Sequence, residues 1–182
     1  MSDVAALSEL ILRLARLEQT EAWQDDLNPA QRAALAYLMR ANRFSRAPSQ
    51  VADYLGTTRG TVSQTLKSLT AKGHLVAESV PGDRRSIRYR VTDTGRAAMA
   101  QSGVLERALT VLDPAATRRL QALLTDLLGK AIAANLGRPF GVCADCAHFR
   151  PGVSGGFCAL LSESLTPDET GQICHEQTPR AA

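Results

Sequence analysis

The chain of 182 residues has no cysteine before position 143 and few aromatic residues, 4 % in all, with one tryptophan, Trp23. No apolar run approaches the ~20 residues that cross a bilayer as a helix. The N-terminus lacks the charged-then-apolar pattern of a secretion signal. The expectation is a soluble, cytoplasmic protein without membrane contact. There is no Gly-rich phosphate loop, no nucleophile beside a credible base and no carboxylate pair marking a cleft. An enzyme acting on a small-molecule substrate is therefore not expected. Acid is scarce in one long stretch. From Arg40 to Arg96 eleven basic residues face only Asp53, Glu78, Asp83 and Asp93. After Cys143 the balance reverses, with Asp145, Glu163, Asp168, Glu169 and Glu176 against Arg150 and Arg180. The net charge of +3 thus hides a basic middle suited to nucleic acid and an acidic tail suited to something else.

What is present centres on Thr57 to Leu75. Val62, Leu66 and Leu69 fall at i, i+4 and i+7, one buried stripe of a helix. Thr58 is a suitable N-cap and Gly73 a suitable left-handed residue past the C-terminus. The first turns carry Arg59, Gly60, Thr61, Ser63 and Gln64, short polar side chains that can reach base edges in a major groove. Lys67 and Lys72 follow where phosphates would lie. A short helix from Pro48 to Leu55, closed by Gly56, precedes it, which makes a helix-turn-helix. Leu75 to Val80 and Ile87 to Val91 alternate like half-buried strands around the turn Pro81-Gly82-Asp83. The hairpin is a wing whose tip and outer strand carry Arg84, Arg85, Arg88 and Arg90.

The segment G-D-R-R-S-I-R-Y-R-V-T-D-T-G resembles the wing of the MarR family of winged-helix transcriptional regulators. The resemblance covers about residues 4 to 135. It implies that Asp83 and Arg85 shape the wing and that a wing arginine enters the minor groove. It also implies a homodimer whose paired recognition helices meet a pseudo-palindromic operator in double-stranded DNA, about 34 Å apart. The remaining helices fit that frame. Val4, Leu7, Ile11, Leu14 and Leu17, widened by Leu10, make a first helix to about Glu18. Asn28-Pro29-Ala30-Gln31 opens a second with a capping box. It turns Leu35, Leu38 and Met39 inward, and Arg40 and Arg43 at its end read as solvated charge. Phe44 to Arg46 is expected as a short strand completing the wing sheet, His74 as a surface residue at the wing base, and Trp23 as packing at the corner of helices one and two. One helix from Thr92 to about Leu112 and another from Asp113-Pro114 to about Asn135 join the first in the dimer layer.

Residues 136–182 are read as a separate module after residues 1–135, joined by the linker Leu136-Gly137-Arg138-Pro139. All four cysteines lie in it, Cys143, Cys146, Cys158 and Cys174. A segment this short rarely builds a stable core without a metal or crosslinks. In a cytoplasmic chain four thiols point to metal or redox chemistry ahead of structural disulfides. Structural zinc takes two close pairs, and only one is present, whereas the single, distant Cys158 and Cys174 suit a [4Fe–4S] cluster. Zinc and a thiol–disulfide switch stay open. Phe140, Val142, Phe149, Phe157, Leu160, Leu161 and Ile173 would shield a cluster from water. His148 and His175 read as residues beside the site, since four cysteines already complete a ligand set. The pairing Cys143/Cys146, with Gly156-Phe157-Cys158 and Gly171-Gln172-Ile173-Cys174, resembles high-potential iron–sulfur proteins and related small cluster modules.

The expected fold is mainly α with a small antiparallel β wing: a winged helix-turn-helix dimer plus a small metal-stabilised C-terminal module. The expected function is a transcriptional regulator, a repressor, whose operator binding answers to redox, oxygen, nitric oxide or iron through the cluster. Its DNA contacts are Arg59, Thr61, Ser63, Gln64, Lys67, Arg84, Arg85 and Arg88. The alternatives are a regulator with structural zinc that answers to a small molecule, and a thiol-redox or electron-transfer protein. The cysteine module is expected to act through the dimer layer, because it follows directly on the last helix.

Overall fold

The structure, a computed structural model, describes residues 2–21, 26–80, 83–135, 137 and 139–180, with the backbone alone for residues 21, 80 and 83–85. Trp23, the Pro81-Gly82 turn and the linker residues Leu136 and Arg138 lie outside the described residues, as do the side chains of Asp83, Arg84 and Arg85.

Helices α1 (Asp3–Glu21), α2 (Pro29–Arg40), α3 (Pro48–Leu55) and α4 (Arg59–Ala71) lead into strands β1 (Leu75–Val80) and β2 (Asp83–Val91). Each start is encoded locally. Asn28 accepts from the Gln31 N–H at 2.9 Å while Gln31 accepts from the Asn28 N–H at 3.1 Å, a reciprocal cap. Thr58 caps α4 through the Thr61 N–H at 3.2 Å. Ala47 offers α3 no side-chain cap, and Gln50 accepts the Ala47 N–H instead, at 2.8 Å. Gly56, at φ 61°, supplies the left-handed turn that redirects the chain from α3 into α4. Leu35, Leu38, Val51, Ala52, Val62, Leu66 and Leu69 close one core with Leu75 and Val91 from the sheet.

The hairpin pairs Leu75 with Val91 through Ser79 with Ile87, and the register shifts at Val80, which meets Asp83. The second strand therefore begins four residues before the expected Ile87. Phe44–Arg46 forms no strand; a single bond from the Tyr89 N–H to the Arg46 carbonyl, 3.0 Å, holds this turn to the sheet. His74 is buried rather than on the surface, and Met39 is exposed rather than inward.

The helix expected over residues 92–112 is two. Helix α5 (Asp93–Ala98) and helix α6 (Val104–Thr110) are separated at Gly103, whose missing side chain lets the Glu18 carboxylate approach. That carboxylate accepts the Leu105 N–H at 3.0 Å, which ties α1 to α6. Helix α7 (Pro114–Ala134) starts on Asp113, which accepts from the Ala115 and Ala116 N–H groups. None of its residues is buried within one chain, and Leu7, Leu10, Leu14 and Leu17 of α1 are exposed like Leu123, Leu124, Leu127 and Leu128 of α7.

Beyond it the chain folds into short pieces. These are β3 (Gly141–Val142), a 3-10 turn at Cys143–Asp145, β4 (Phe149–Gly152), β5 (Gly155–Cys158), β6 (Glu163–Leu165), α8 (Pro167–Thr170) and β7 (Ile173–Cys174). Strands β4, β5 and β6 form one antiparallel sheet, and β3 pairs with β7. This segment packs on the winged-helix core: Ile173 belongs to that core, and Phe140 packs against it.

Candidate nucleic-acid interface and cysteine site

Burial of Val62, Leu66 and Leu69 fixes how α4 is turned. At 100° per residue the opposite face carries Gly60, Gln64 and Lys67, and Gln64 and Lys67 are exposed. Arg59 is exposed at the first turn, and Ser63 is half-buried on one flank. Thr61 lies on the other flank, exposed, with its hydroxyl 2.9 Å from that of Thr58. The cap thus engages Thr61, while Gln64 and Lys67 project from the helix. Lys72 turns back to the Asp26 carbonyl and carboxylate rather than toward the α4 face.

On the wing, Arg88 and Arg90 share one face of β2 by strand alternation. Arg90 pairs with Glu78 at 2.6 Å. Arg88 lies half-buried, 5.9 Å from the centre of the Phe44 ring. Arg46 is turned inward, its guanidinium on the Ala41 carbonyl at 2.8 and 2.9 Å, and burial lowers its pKa. The backbone places residues 83–85 at the start of β2 beside the hairpin turn.

The four cysteines come together. Cys143, Cys146, Cys158 and Cys174 line one small, almost wholly apolar cavity with Phe149, Leu160, Leu165 and Glu176. None of the four is in a disulfide, and all but Cys158 are buried. Among the described residues no three His, Cys, Asp or Glu side chains stand so as to hold a single metal ion. A lone zinc needs every sulfur about 2.3 Å from one point. A [4Fe–4S] cluster takes thiolates more widely spaced, one to each iron. Four sulfurs stand around an apolar space, a donor set of the kind that either group uses, with N–H groups pointed at two of them. The Asn42 amide donates to the Cys143 sulfur at 3.4 Å, and the Thr178 N–H to the Cys146 sulfur at 3.5 Å. Cys174 is pushed down to about 6, first by its hydrogen bond with Cys143 and then by Asn42, the Glu176 N–H and Ser45, against burial. Cys143 is pushed up, first by that same bond and then by burial.

The expected apolar shield is only partly the observed one. Phe149 and Leu160 line the cavity, but Phe157 is exposed, Ile173 points into the winged-helix core, and Phe140 stacks edge-on against Tyr37, Tyr54 and His175. Leu165 and Phe44, which have no special position in the sequence, pack there instead. His175 is buried beside the site, its backbone N–H on Ser45 Oγ at 2.9 Å and its ring 3.3 Å from the Asp53 carboxylate of α3. Arg43 is not simply solvated charge: it reaches Glu169, the Ser164 carbonyl at 2.8 Å and Glu163 at 3.4 Å, and stacks over Phe44 at 4.4 Å. The module's contacts therefore run to the turn after α2 and to α3. The expectation that the module acts through the dimer layer named none of these contacts. Sequence alone carried no signal for Asn42, Ser45 or Asp53, which lie 101 to 130 residues from their partners.

Residues 25–86, from the approach to α2 into the wing, match the model of the MarR family. Solved structures share the fold. The Staphylococcus aureus protein MepR, a transcription regulator of the multidrug efflux pump MepA, is 19 % identical with TM-score 0.53, over 72 % of this chain and 99 % of that one. A MepR–DNA complex is 17 % identical with TM-score 0.54, over 71 % and 98 %. Wild-type MarR from E. coli in its apo form is 20 % identical with TM-score 0.54, over 70 % and 98 %. At these identities the likeness establishes the fold, a winged helix of the MarR type. No curated protein matches the chain. Among the described residues no helix is long and apolar enough to cross a membrane.

Proposed function

We propose that this chain is a MarR-type transcription regulator, a non-enzymatic homodimer that binds double-stranded DNA and carries a [4Fe–4S] cluster on Cys143, Cys146, Cys158 and Cys174. The observation that carries the DNA-binding part is the outward face of α4, where Gln64 and Lys67 project beside a basic strand. The match of residues 25–86 to the MarR family and the fold shared with MepR, one structure of which is a DNA complex, support it. In this reading Gln64 and Ser63 meet base edges, Arg59 and Lys67 meet phosphates, and Arg84, Arg85 and Arg88 follow the backbone toward the minor groove. The exposed leucines of α1 and α7 form the two-fold interface.

The sulfur-only donor set and the N–H groups aimed at it support the cluster. Bound there, a cluster supplies one-electron redox chemistry and sensitivity to oxidants. The chain's own part is to exclude water with Phe149, Leu160 and Leu165 and to hold thiolate charge with Asn42 and the Thr178 N–H. Operator binding is then modulated by the state of the cysteine site.

Two measurements test this reading. Operator affinity titrated against salt should give a steep log–log slope, and Arg85→Ala should flatten it by about one ion. An unchanged slope takes the wing out of the interface. Protein purified without oxygen should be brown, with broad visible absorption. A colourless protein with stoichiometric zinc would refute the cluster.

A further inference from the structure

The turn from Ala41 to Arg46 touches three things at once. Asn42 is wholly buried and is held by four hydrogen bonds. Its side-chain amide donates to Cys143 Sγ, its side-chain oxygen accepts the Phe44 N–H at 3.1 Å, its backbone N–H donates to the Ile173 carbonyl at 2.9 Å, and its backbone carbonyl accepts the Ser45 N–H at 3.0 Å. Ala41 bridges Ile173 as a strand would, and Ser45 accepts the His175 N–H. The cysteine site is thus held from one side by the winged-helix half of the chain. On its other side the same turn holds α3 and the wing strand β2. The Phe44 carbonyl accepts from Gln50 of α3 at 3.0 Å, and the Arg46 carbonyl accepts from Tyr89 of β2. The Phe44 ring lies between Arg43, which reaches α8 and β6, and Arg88 of the wing.

We infer that Asn42 is a positioning residue of the cysteine site, and that through it the turn Ala41–Arg46 conveys the state of that site to α3 and the wing of the same subunit. This rests on the proposed DNA-binding function. The physical reason is bond economy at a buried amide. An N–H donated to sulfur is strongest when that sulfur carries charge, so ligation or oxidation at Cys143 changes how tightly Asn42 is held. Asn42 is wholly buried, so it cannot exchange that bond for one with water, and the turn has to adjust. The nearest dependent groups are Phe44 and Gln50, and behind them α3 and Arg88. Only a difference in free energy between two arrangements of this turn can shift DNA affinity.

The test is a double-mutant cycle on the full-length protein, read as operator affinity at fixed salt without oxygen. Cys143→Ser alone should change affinity at least fivefold. In an Asn42→Ala background the same change should have less than half that effect on a logarithmic scale. Additive effects, or no effect of Cys143→Ser, overturn the inference. Circular dichroism confirms folding of each variant. If Asn42→Ala does not fold, Arg43→Gln, at a partly exposed position of the same turn, provides the second axis under the same criteria. A merely structural Asn42 would leave the chemistry of the site untouched. Asn42→Ala should therefore also lower the midpoint potential of an iron–sulfur protein, or lower thiol reactivity at Cys143 in a protein without iron. An unchanged value overturns its positioning role. The cycle reads the turn whichever metal is present, whereas visible absorption of the unmutated protein tests the cluster, so the two can fail separately.

Discussion

Gln64 and Gly95 show how differently single residues bear on this protein. Gln64 has no partner among the hydrogen bonds of the described residues and projects from α4. Its side chain is free to pair with a base. We expect Gln64→Ala to weaken binding to the best site by roughly 1–3 kcal/mol and binding to random DNA by less. Competition titrations with the two DNAs decide it, and equal losses would mean a backbone contact only. Gly95 is a packing residue. A Cβ there would lie 2.4 Å from the His74 carbonyl oxygen and 2.8 Å from Val91. Backbone and a branched side chain cannot yield cheaply, so Gly95→Ala should cost about 1–3 kcal/mol in urea unfolding. The Gly in T-D-T-G is legible in sequence as part of a helix start; its contact with the His74 carbonyl is not.

At the scale of elements, the contact between α8 and the turn after α2 has a pH signature. Burial raises the Glu169 pKa, but the Thr166 N–H and then Arg43 more than offset this and hold the carboxyl below its usual range. A depressed folded pKa contributes stability that is present above the unfolded value, about 4.3, and is lost as pH falls through the folded one. Protection against hydrogen exchange in β6 and α8 should accordingly fall as pH drops below the usual glutamate range. Arg43→Gln should move that loss of protection to higher pH. Loss at the same pH in both proteins would show that Arg43 does not hold Glu169. The starts of α2, α4 and α7 were readable because a cap needs only neighbours three residues apart. The break between α5 and α6 was not, because it depends on Glu18, 85 residues before Gly103 in the chain.

For the whole molecule the unpartnered leucines decide the expectation. Leu124 and Leu127 of α7 are 45 % and 44 % exposed in the single chain, and Leu10 of α1 is 57 % exposed. We expect these exposed leucines to form the dimer interface, as clustered apolar surface commonly does. A Leu124→Glu, Leu127→Glu double variant should sediment as a folded monomer and lose most operator affinity, because half-site spacing needs two linked recognition helices. A variant that remains dimeric would place the interface elsewhere. The cysteine module is a different case. It lies against the turn after α2 and against α3 of its own chain, so the coupling proposed above does not require the dimer layer to move.

Local chemistry was enough to read α2, α3, α4, β1, the helix-turn-helix and the four cysteines as one set. Caps, a 3.6-residue stripe and strand alternation are all fixed by residues a few positions apart. Where the cysteine segment docks could not be read that way. It depends on Asn42, Arg43, Ser45 and Asp53 meeting residues more than 100 positions later. Polar side chains of this kind look in sequence like ordinary turn and surface residues. Only packing removes them from water, and only then does each need the particular partner that joins the two halves of the chain.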